Sequence, residues 1–130
     1  NALFKKILNG AEIVAMHKNK YWHSGNGLTL DLGAFVTALE FATEKEAIVI
    51  GKPNPHLFQL AVKPWGLSFQ SIYMVGDDIR GDIGGANNVG MQSILVKTGK
   101  YRKESLNSSE ITPDFIINSV ADLPELLQLN

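Results

Sequence analysis

The sequence lacks cysteine, a large excess of charge of either sign and any long apolar run. Without cysteine there are no disulfides, thiolate metal sites or cysteine nucleophiles. Lysine and arginine total 12 against 13 acidic residues, and a net charge of -1 offers no basic field for nucleic acid or an anionic membrane. No apolar run reaches the ~18 residues of a membrane span, and no secretory signal pattern is present. We therefore expect no nucleic-acid partner, no membrane partner and a cytoplasmic location.

The composition is that of a globular protein with a core of its own. The 130 residues are 45% hydrophobic and 19% charged, which indicates one domain or slightly more. The chain starts at Asn1, without methionine, and passes directly into an amphipathic helical pattern. From this start we expect a piece of a larger protein.

Strand-like and helix-like segments alternate regularly in the second part of the chain. The apolar runs that predict strands lie at residues 47–50, 71–75, 93–96 and 115–117. Between them we expect a helix over residues 79–89, closed by Gly90, and a polar loop over residues 103–113. This alternation predicts an α/β fold, a Rossmann-like parallel sheet with helices on both faces.

The first part of the chain follows a different pattern. Helical patterns at residues 2–8 and 33–43 flank short strand-like runs, and Gly25-Asn26-Gly27 predicts a hairpin. The spacing is irregular, as in a small α+β unit. We expect a domain boundary near Glu46.

Four charged residues follow two of the predicted strands. Lys52 comes after the strand at 47–50, and Asp77, Asp78 and Asp82 come at or after the end of the strand at 71–75. Open α/β sheets bind ligands at the carboxyl ends of their strands. Three carboxylates close together repel one another unless a cation lies among them, and Mg²⁺ prefers such oxygen ligands. Lys52 could then bind a substrate phosphate as a point charge.

Simpler roles exist for each of these residues taken alone. Asp77 and Asp78 could cap the following helix and complement its dipole, and Lys52 could be a solvated loop lysine. The four residues in this order, on this topology, are a much more specific signal than any one of them. The three histidines are too scattered to form a metal cluster.

These residues lie within longer motifs that resemble those of the haloacid dehalogenase (HAD) superfamily of phosphatases. The third and fourth motifs of that family are matched by Gly51-Lys52-Pro53-x-Pro55 and by Met74-Val75-Gly76-Asp77-Asp78-x-x-x-Asp82-x-x-Gly85-Ala86. The match is to enzymes with a large cap inserted before the third motif. It implies that residues 1–46 are the carboxyl-terminal part of the cap and residues 47–130 the second half of the catalytic core.

The resemblance also implies roles for the four charged residues. Asp77 would be a direct ligand of a Mg²⁺ cofactor. Asp82 would act in catalysis by holding a metal-bound water or Lys52, and Asp78 would support the same acidic cluster. Lys52 would be catalytic and substrate-binding, because it would contact the transferring phosphoryl group. The expected activity is Mg²⁺-dependent hydrolysis of a small phosphorylated substrate, through an aspartyl-phosphate in the intact enzyme.

The first and second motifs of the family have no counterpart in this sequence. The family's nucleophile is the first aspartate of an Asp-x-Asp pair, and no such pair occurs here. The apolar run that ends in Asp31 lacks the second carboxylate. We therefore expect a fragment that is inactive alone.

Two other functions are alternatives to the phosphatase. One is a non-catalytic interaction or regulatory module on the same fold, which the missing nucleophile favours. Such a module would self-associate or bind its other half, so a homo-oligomer is possible. The other is a receiver-like signalling domain, which needs its acidic pair after the first strand and a later strand that ends in aspartate; neither is present.

Overall fold

A computed structural model describes residues 1–129, which form two compact units. The first unit comprises residues 1–51, and the second begins at Lys52. No helix in the described part of the chain is both long enough and apolar enough to span a membrane.

The first unit contains two helices and four short strands. In chain order they are α1 (Ala2–Leu8), β1 (Val14–Ala15), β2 (Tyr21–Ser24), β3 (Gly27–Leu30), α2 (Leu32–Thr43) and β4 (Ile48–Val49). Strands β2 and β3 form the antiparallel hairpin that the glycines around Asn26 predict. Asp31 caps α2 by accepting a hydrogen bond from the Leu32 N–H at 2.7 Å.

The second unit alternates helices and strands. Its elements are α3 (Pro55–Val62), β5 (Tyr73–Gly76), α4 (Gly85–Val89), β6 (Gln92–Val96), α5 (Lys103–Asn107), β7 (Phe115–Ile117) and α6 (Leu123–Leu126). Strands β5, β6 and β7 form a parallel sheet in that spatial order. The parallel α/β architecture predicted from the alternation is confirmed.

Helices cover both faces of this sheet. On one face, Phe58 of α3 and Ala86 of α4 form a buried cluster against which Met74 of β5 packs. On the other face, Ile94 lies in a cluster with Val96 and Ile117 that is covered by apolar residues of α6. Ile94 is fully buried, and burial of such a side chain contributes about 1.5–3 kcal/mol to folding.

Three local features differ from the sequence-based expectations. The helix expected over residues 79–89 is divided into a π-helical segment, Ile79–Gly84, and α4, and Gly90 closes α4 in the left-handed conformation as expected. The polar loop expected over residues 103–113 contains α5. Strand β4 pairs with β1 in the first unit and does not join the sheet of β5 to β7. The assignment of residues 1–46 to a cap and 47–130 to a catalytic core stays a prediction.

Candidate active site

The candidate site lies at the carboxyl edge of the three-stranded sheet. Strand β5 ends at Gly76, which pairs in parallel register with Leu95 of β6. Because the two strands run in the same direction, the residues that follow β5 and those that follow β6 emerge at the same edge. This edge carries Asp77 and Asp78 from one strand and Lys100 from the other.

Lys52 and Asp82 form the closest ion pair of the site. The Lys52 Nζ lies 2.5 Å from Oδ1 of Asp82, although 30 positions separate the two residues in the chain. The Asp82 side chain is only 6% exposed, whereas that of Lys52 is 46% exposed. The other Asp82 oxygen, Oδ2, accepts a hydrogen bond from the Asp78 N–H at 3.2 Å. Both carboxylate oxygens of Asp82 are therefore engaged by the protein itself.

Gly76 leaves the space that Asp82 fills. A Cβ atom at Gly76 would overlap with the Cβ and the carboxyl group of Asp82. The π-helical segment carries Asp82 back over the end of β5, and its backbone N–H bonds to the Asp78 carbonyl at 2.9 Å. Glycine is thus required where the backbone of β5 approaches the buried carboxylate.

Asp78 is held by three donors. Its Oδ1 accepts hydrogen bonds from the N–H groups of Arg80 and Gly81, at 3.1 and 3.0 Å, and its Oδ2 lies 3.2 Å from Nζ of Lys100. Burial by itself raises the pKa of Asp78, but the hydrogen bonds from Gly81, Lys100 and Arg80 outweigh it and hold the pKa below its ordinary value. The Asp78 carboxylate is therefore kept ionised and fixed.

Asp77 is held at one oxygen only. Its Oδ2 accepts a hydrogen bond from the Lys100 N–H at 2.8 Å. Its Oδ1 accepts no hydrogen bond from any residue between 1 and 129. Of the three carboxylates, Asp77 alone keeps an oxygen available for another ligand.

The carboxylate oxygens of the site suit a cation that takes most of its ligands from water and phosphate. Among residues 1–129, no three acidic, histidine or cysteine side chains are grouped to enclose a metal ion. Mg²⁺ commonly takes one or two carboxylates and completes its shell with water and phosphate oxygens. One free oxygen on Asp77, flanked by carboxylates that already have partners, fits this pattern. Asp77 would hold the ion, and Asp78 and Asp82 would support it through their fixed positions.

The structure brings all four predicted site residues to one edge of the second unit. The catalytic, substrate-binding and metal-binding roles of Lys52, Asp77, Asp78 and Asp82 stay predictions. Lys100 contacts two of the acidic residues and was not expected at the site. Its position in the loop that follows β6, next to β5 in a parallel sheet, is the signal that could have identified it.

Three comparisons with known proteins agree on a family. The HAD-hydrolase-like family model matches residues 49–123. Haloacid dehalogenase-like hydrolase domain-containing protein 2 of Bos taurus is 49% identical over 102 residues, covering 78% of this chain and 39% of that protein. Phospholysine phosphohistidine inorganic pyrophosphate phosphatase of Xenopus laevis is 37% identical over 129 residues, covering 98% of this chain and 48% of that protein.

The solved structures show the same fold. Glycerol phosphate phosphatase of Mycobacterium tuberculosis, in complex with magnesium, superposes with a TM-score of 0.81 and 31% identity, over 93% of this chain and 37% of that one. The chain thus spans less than half the length of each of these proteins. The family model covers more than half of the chain, and the fold of the chain is that of HAD phosphatases. The chain therefore belongs to the HAD-like hydrolases.

Proposed function

We propose that this chain supplies the lysine and the metal-binding carboxylate of a magnesium-dependent phosphatase active site. The observation that carries the proposal is the Lys52–Asp82 pair at the same sheet edge as Asp77, whose Oδ1 accepts no hydrogen bond from residues 1–129. The HAD-hydrolase-like family match, which covers both segments, supports it.

Each residue has a role that its surroundings allow. Lys52 has a nearly half-exposed side chain, so its ammonium group can bind a phosphoryl oxygen while Asp82 holds it in place. Asp77 offers its free oxygen to the ion. Magnesium, when bound there, supplies positive charge that stabilises the phosphoryl oxygens.

The nucleophile is the part that this chain does not provide. The sequence has no Asp-x-Asp pair, so the attacking aspartate would come from another segment of a longer protein. We therefore propose that the chain by itself is inactive. The names of the similar proteins cover phosphoramidates, pyrophosphate and a phosphate ester, and we propose a small substrate from these classes. The cytoplasmic location and a homo-oligomer remain predictions from the sequence.

The first test is an assay of the chain alone and of the chain joined to an Asp-x-Asp segment from one of its relatives. With Mg²⁺ and pyrophosphate or 4-nitrophenyl phosphate as substrate, the chain alone should release no phosphate above an EDTA control. The joined protein should release phosphate, and Asp77→Asn should abolish this release because the metal loses its carboxylate ligand.

Asp31→Asn is the matched control for this substitution. It makes the same chemical change in the first unit, and asparagine still caps α2. Its activity should equal that of the unsubstituted joined protein. Wild-type rates in Asp77→Asn would refute the metal assignment. Activity of the chain alone that requires both Asp77 and Mg²⁺ would refute the proposal that the nucleophile lies elsewhere.

The non-catalytic alternative rests on the same missing Asp-x-Asp pair. It predicts that the joined protein is also inactive, even when it is folded and binds divalent cations. That result would favour an interaction or regulatory module.

A further inference from the structure

We propose that Lys100 is a positioning residue for the metal-binding carboxylate. It fixes Asp77 through its backbone and neutralises Asp78 through its side chain, so that Asp77 alone faces an incoming divalent cation. The inference rests on the proposed metal site and adds a residue to which neither the family motifs nor the predicted roles give a function.

The backbone contact fixes the rotamer of Asp77. The Lys100 N–H donates to Oδ2 of Asp77 at 2.8 Å. Gly99 has φ +52°, and a Cβ there would overlap with Oδ2 of Asp77, so the carboxylate packs directly on the glycine. Oδ2 is thereby held against the loop that follows β6, and Oδ1 is the oxygen that remains free.

Hydrogen bonds within the loop that contains Lys100 stabilise its conformation. The Tyr101 N–H donates to the Thr98 carbonyl at 3.0 Å and closes a tight turn. The Arg102 guanidinium donates to the carbonyls of Gly99 and Tyr101, at 3.1 and 2.6 Å. A donor held in this way positions a carboxylate with little further loss of conformational entropy.

The side-chain contact removes a competing ligand. The Lys100 ammonium lies 3.2 Å from Oδ2 of Asp78, and the Lys100 side chain is 27% exposed. Because two backbone N–H groups already occupy Oδ1 of Asp78, this contact leaves neither oxygen of Asp78 without a partner. Without the ammonium, Oδ2 of Asp78 would be free to bind the cation directly or to attract it through water.

The charges of the site give the direction of the expected effect. Asp82 is paired with Lys52 and Asp78 with Lys100, so within residues 1–129 one carboxylate of the three, Asp77, has no ion-pair partner. Replacement of Lys100 by a neutral residue would leave two. A divalent cation should therefore bind more tightly, by about three- to tenfold at low salt. A merely structural role for Lys100 would predict weaker binding or none.

The test is a titration of the purified chain with Mn²⁺, a paramagnetic probe for Mg²⁺ sites, followed by amide NMR. In the unsubstituted chain, broadening should concentrate at the amides of Asp77, Asp78 and Lys100, and Asp77→Asn should remove it. Lys100→Met and Lys100→Gln should lower the Mn²⁺ dissociation constant by about three- to tenfold. Lys100→Arg, which keeps the charge beside Asp78, should stay within about twofold of the unsubstituted chain.

Lys97→Met is the matched charge control. Lys97 lies in the same loop, but its Nζ donates to the Asn118 amide oxygen at 3.3 Å and not to a carboxylate. Lys97→Met removes one positive charge, as Lys100→Met does, but leaves the Lys100 contact with Asp78 intact. The Mn²⁺ affinity of this variant should therefore change by less than about twofold. An equal effect of Lys97→Met would show that diffuse charge, not the contact with Asp78, sets the affinity, and would overturn the inference.

The remaining outcomes separate the inference from the proposed function. Absence of site-specific broadening in the unsubstituted chain would overturn both, because no cation site would exist. Site-specific broadening with unchanged or weaker affinity in the folded Lys100→Gln chain would overturn the inference alone. Amide spectra of each variant without Mn²⁺ establish that it is folded.

Discussion

The pair of Lys52 and Asp82 should respond asymmetrically to the loss of each partner. The Asp82 carboxylate is almost fully buried, while the Lys52 side chain is nearly half exposed. Lys52→Met therefore leaves the buried Asp82 carboxylate without its cationic partner. Asp82→Asn leaves the Lys52 ammonium group, which water can still solvate. We expect Lys52→Met to cost the second unit more stability than Asp82→Asn.

The structure sets the size of this difference. Breaking a buried ion pair by removal of one partner costs about 3–5 kcal/mol. We expect Lys52→Met to cost less than this, about 2–3 kcal/mol of stability. Water already reaches Lys52, and the Asp78 N–H still donates to Asp82 at 3.2 Å in the variant. In Asp82→Asn the amide oxygen can keep the Asp78 hydrogen bond, and the expected cost is about 1 kcal/mol. The double variant should cost less than the sum of the two, by about 1 kcal/mol or more.

Native-state hydrogen exchange measures the effect in the second unit alone. The amides of β6 lie at the centre of its sheet, so their slowest exchange reports the free energy of opening this unit. The measurements need EDTA, so that a bound cation does not stabilise one variant more than another. Equal costs for the two single variants, or a larger cost for Asp82→Asn, would refute the argument that burial of the carboxylate dominates the pair.

Two further predictions concern packing and pH. Gly76→Ala should destabilise the second unit by about 2–3 kcal/mol, because the added methyl group overlaps with Asp82. Hydrogen exchange of the β6 amides measures this loss. An effect below about 0.5 kcal/mol, which is typical of a surface substitution, would contradict the close approach of Gly76 and Asp82. In the first unit, hydrogen bonds from Lys18 and the Ala47 N–H lower the pKa of Glu40 from its ordinary 4.5. The stability that this gives is present above pH 4.5 and is lost as the pH falls through the lowered pKa. Glu40→Gln should therefore reduce the loss of protection in α2 amides as the pH falls below 4.5, and an unchanged pH profile would count against the ion pair.

Much of the fold follows from local sequence rules. The glycines around Asn26 predict the hairpin, and Gly90 predicts the left-handed end of α4. Such signals act over a few residues, because they depend on backbone conformation and on hydrogen bonds within one turn. The polar composition of residues 103–113 hid α5, which is only five residues long and packs Leu106 against the cluster around Ile83.

Local sequence rules do not predict the pairing of β4 with β1. The alternation from residue 47 onward predicts β4 in the same sheet as β5, yet β4 forms its ladder with β1 in the first unit. Two-residue strands carry almost no periodicity, so their partners are decided by long-range packing. Lys52 nevertheless reaches Asp82 from the segment that follows β4.

The sequence by itself determined four of the residues of the candidate site, and it missed Lys100. Asp77, Asp78 and Asp82 follow the predicted end of β5, and the family motifs add Lys52 to them, although the strand before Lys52, β4, does not join that sheet. Only the tertiary structure decided the partner of each carboxylate and the oxygen that stays free. The contacts of Lys52 with Asp82 and of Lys100 with Asp77 join residues 30 and 23 positions apart, so they depend on sheet register and on the π-helical segment. No spacing rule along the chain encodes those distances.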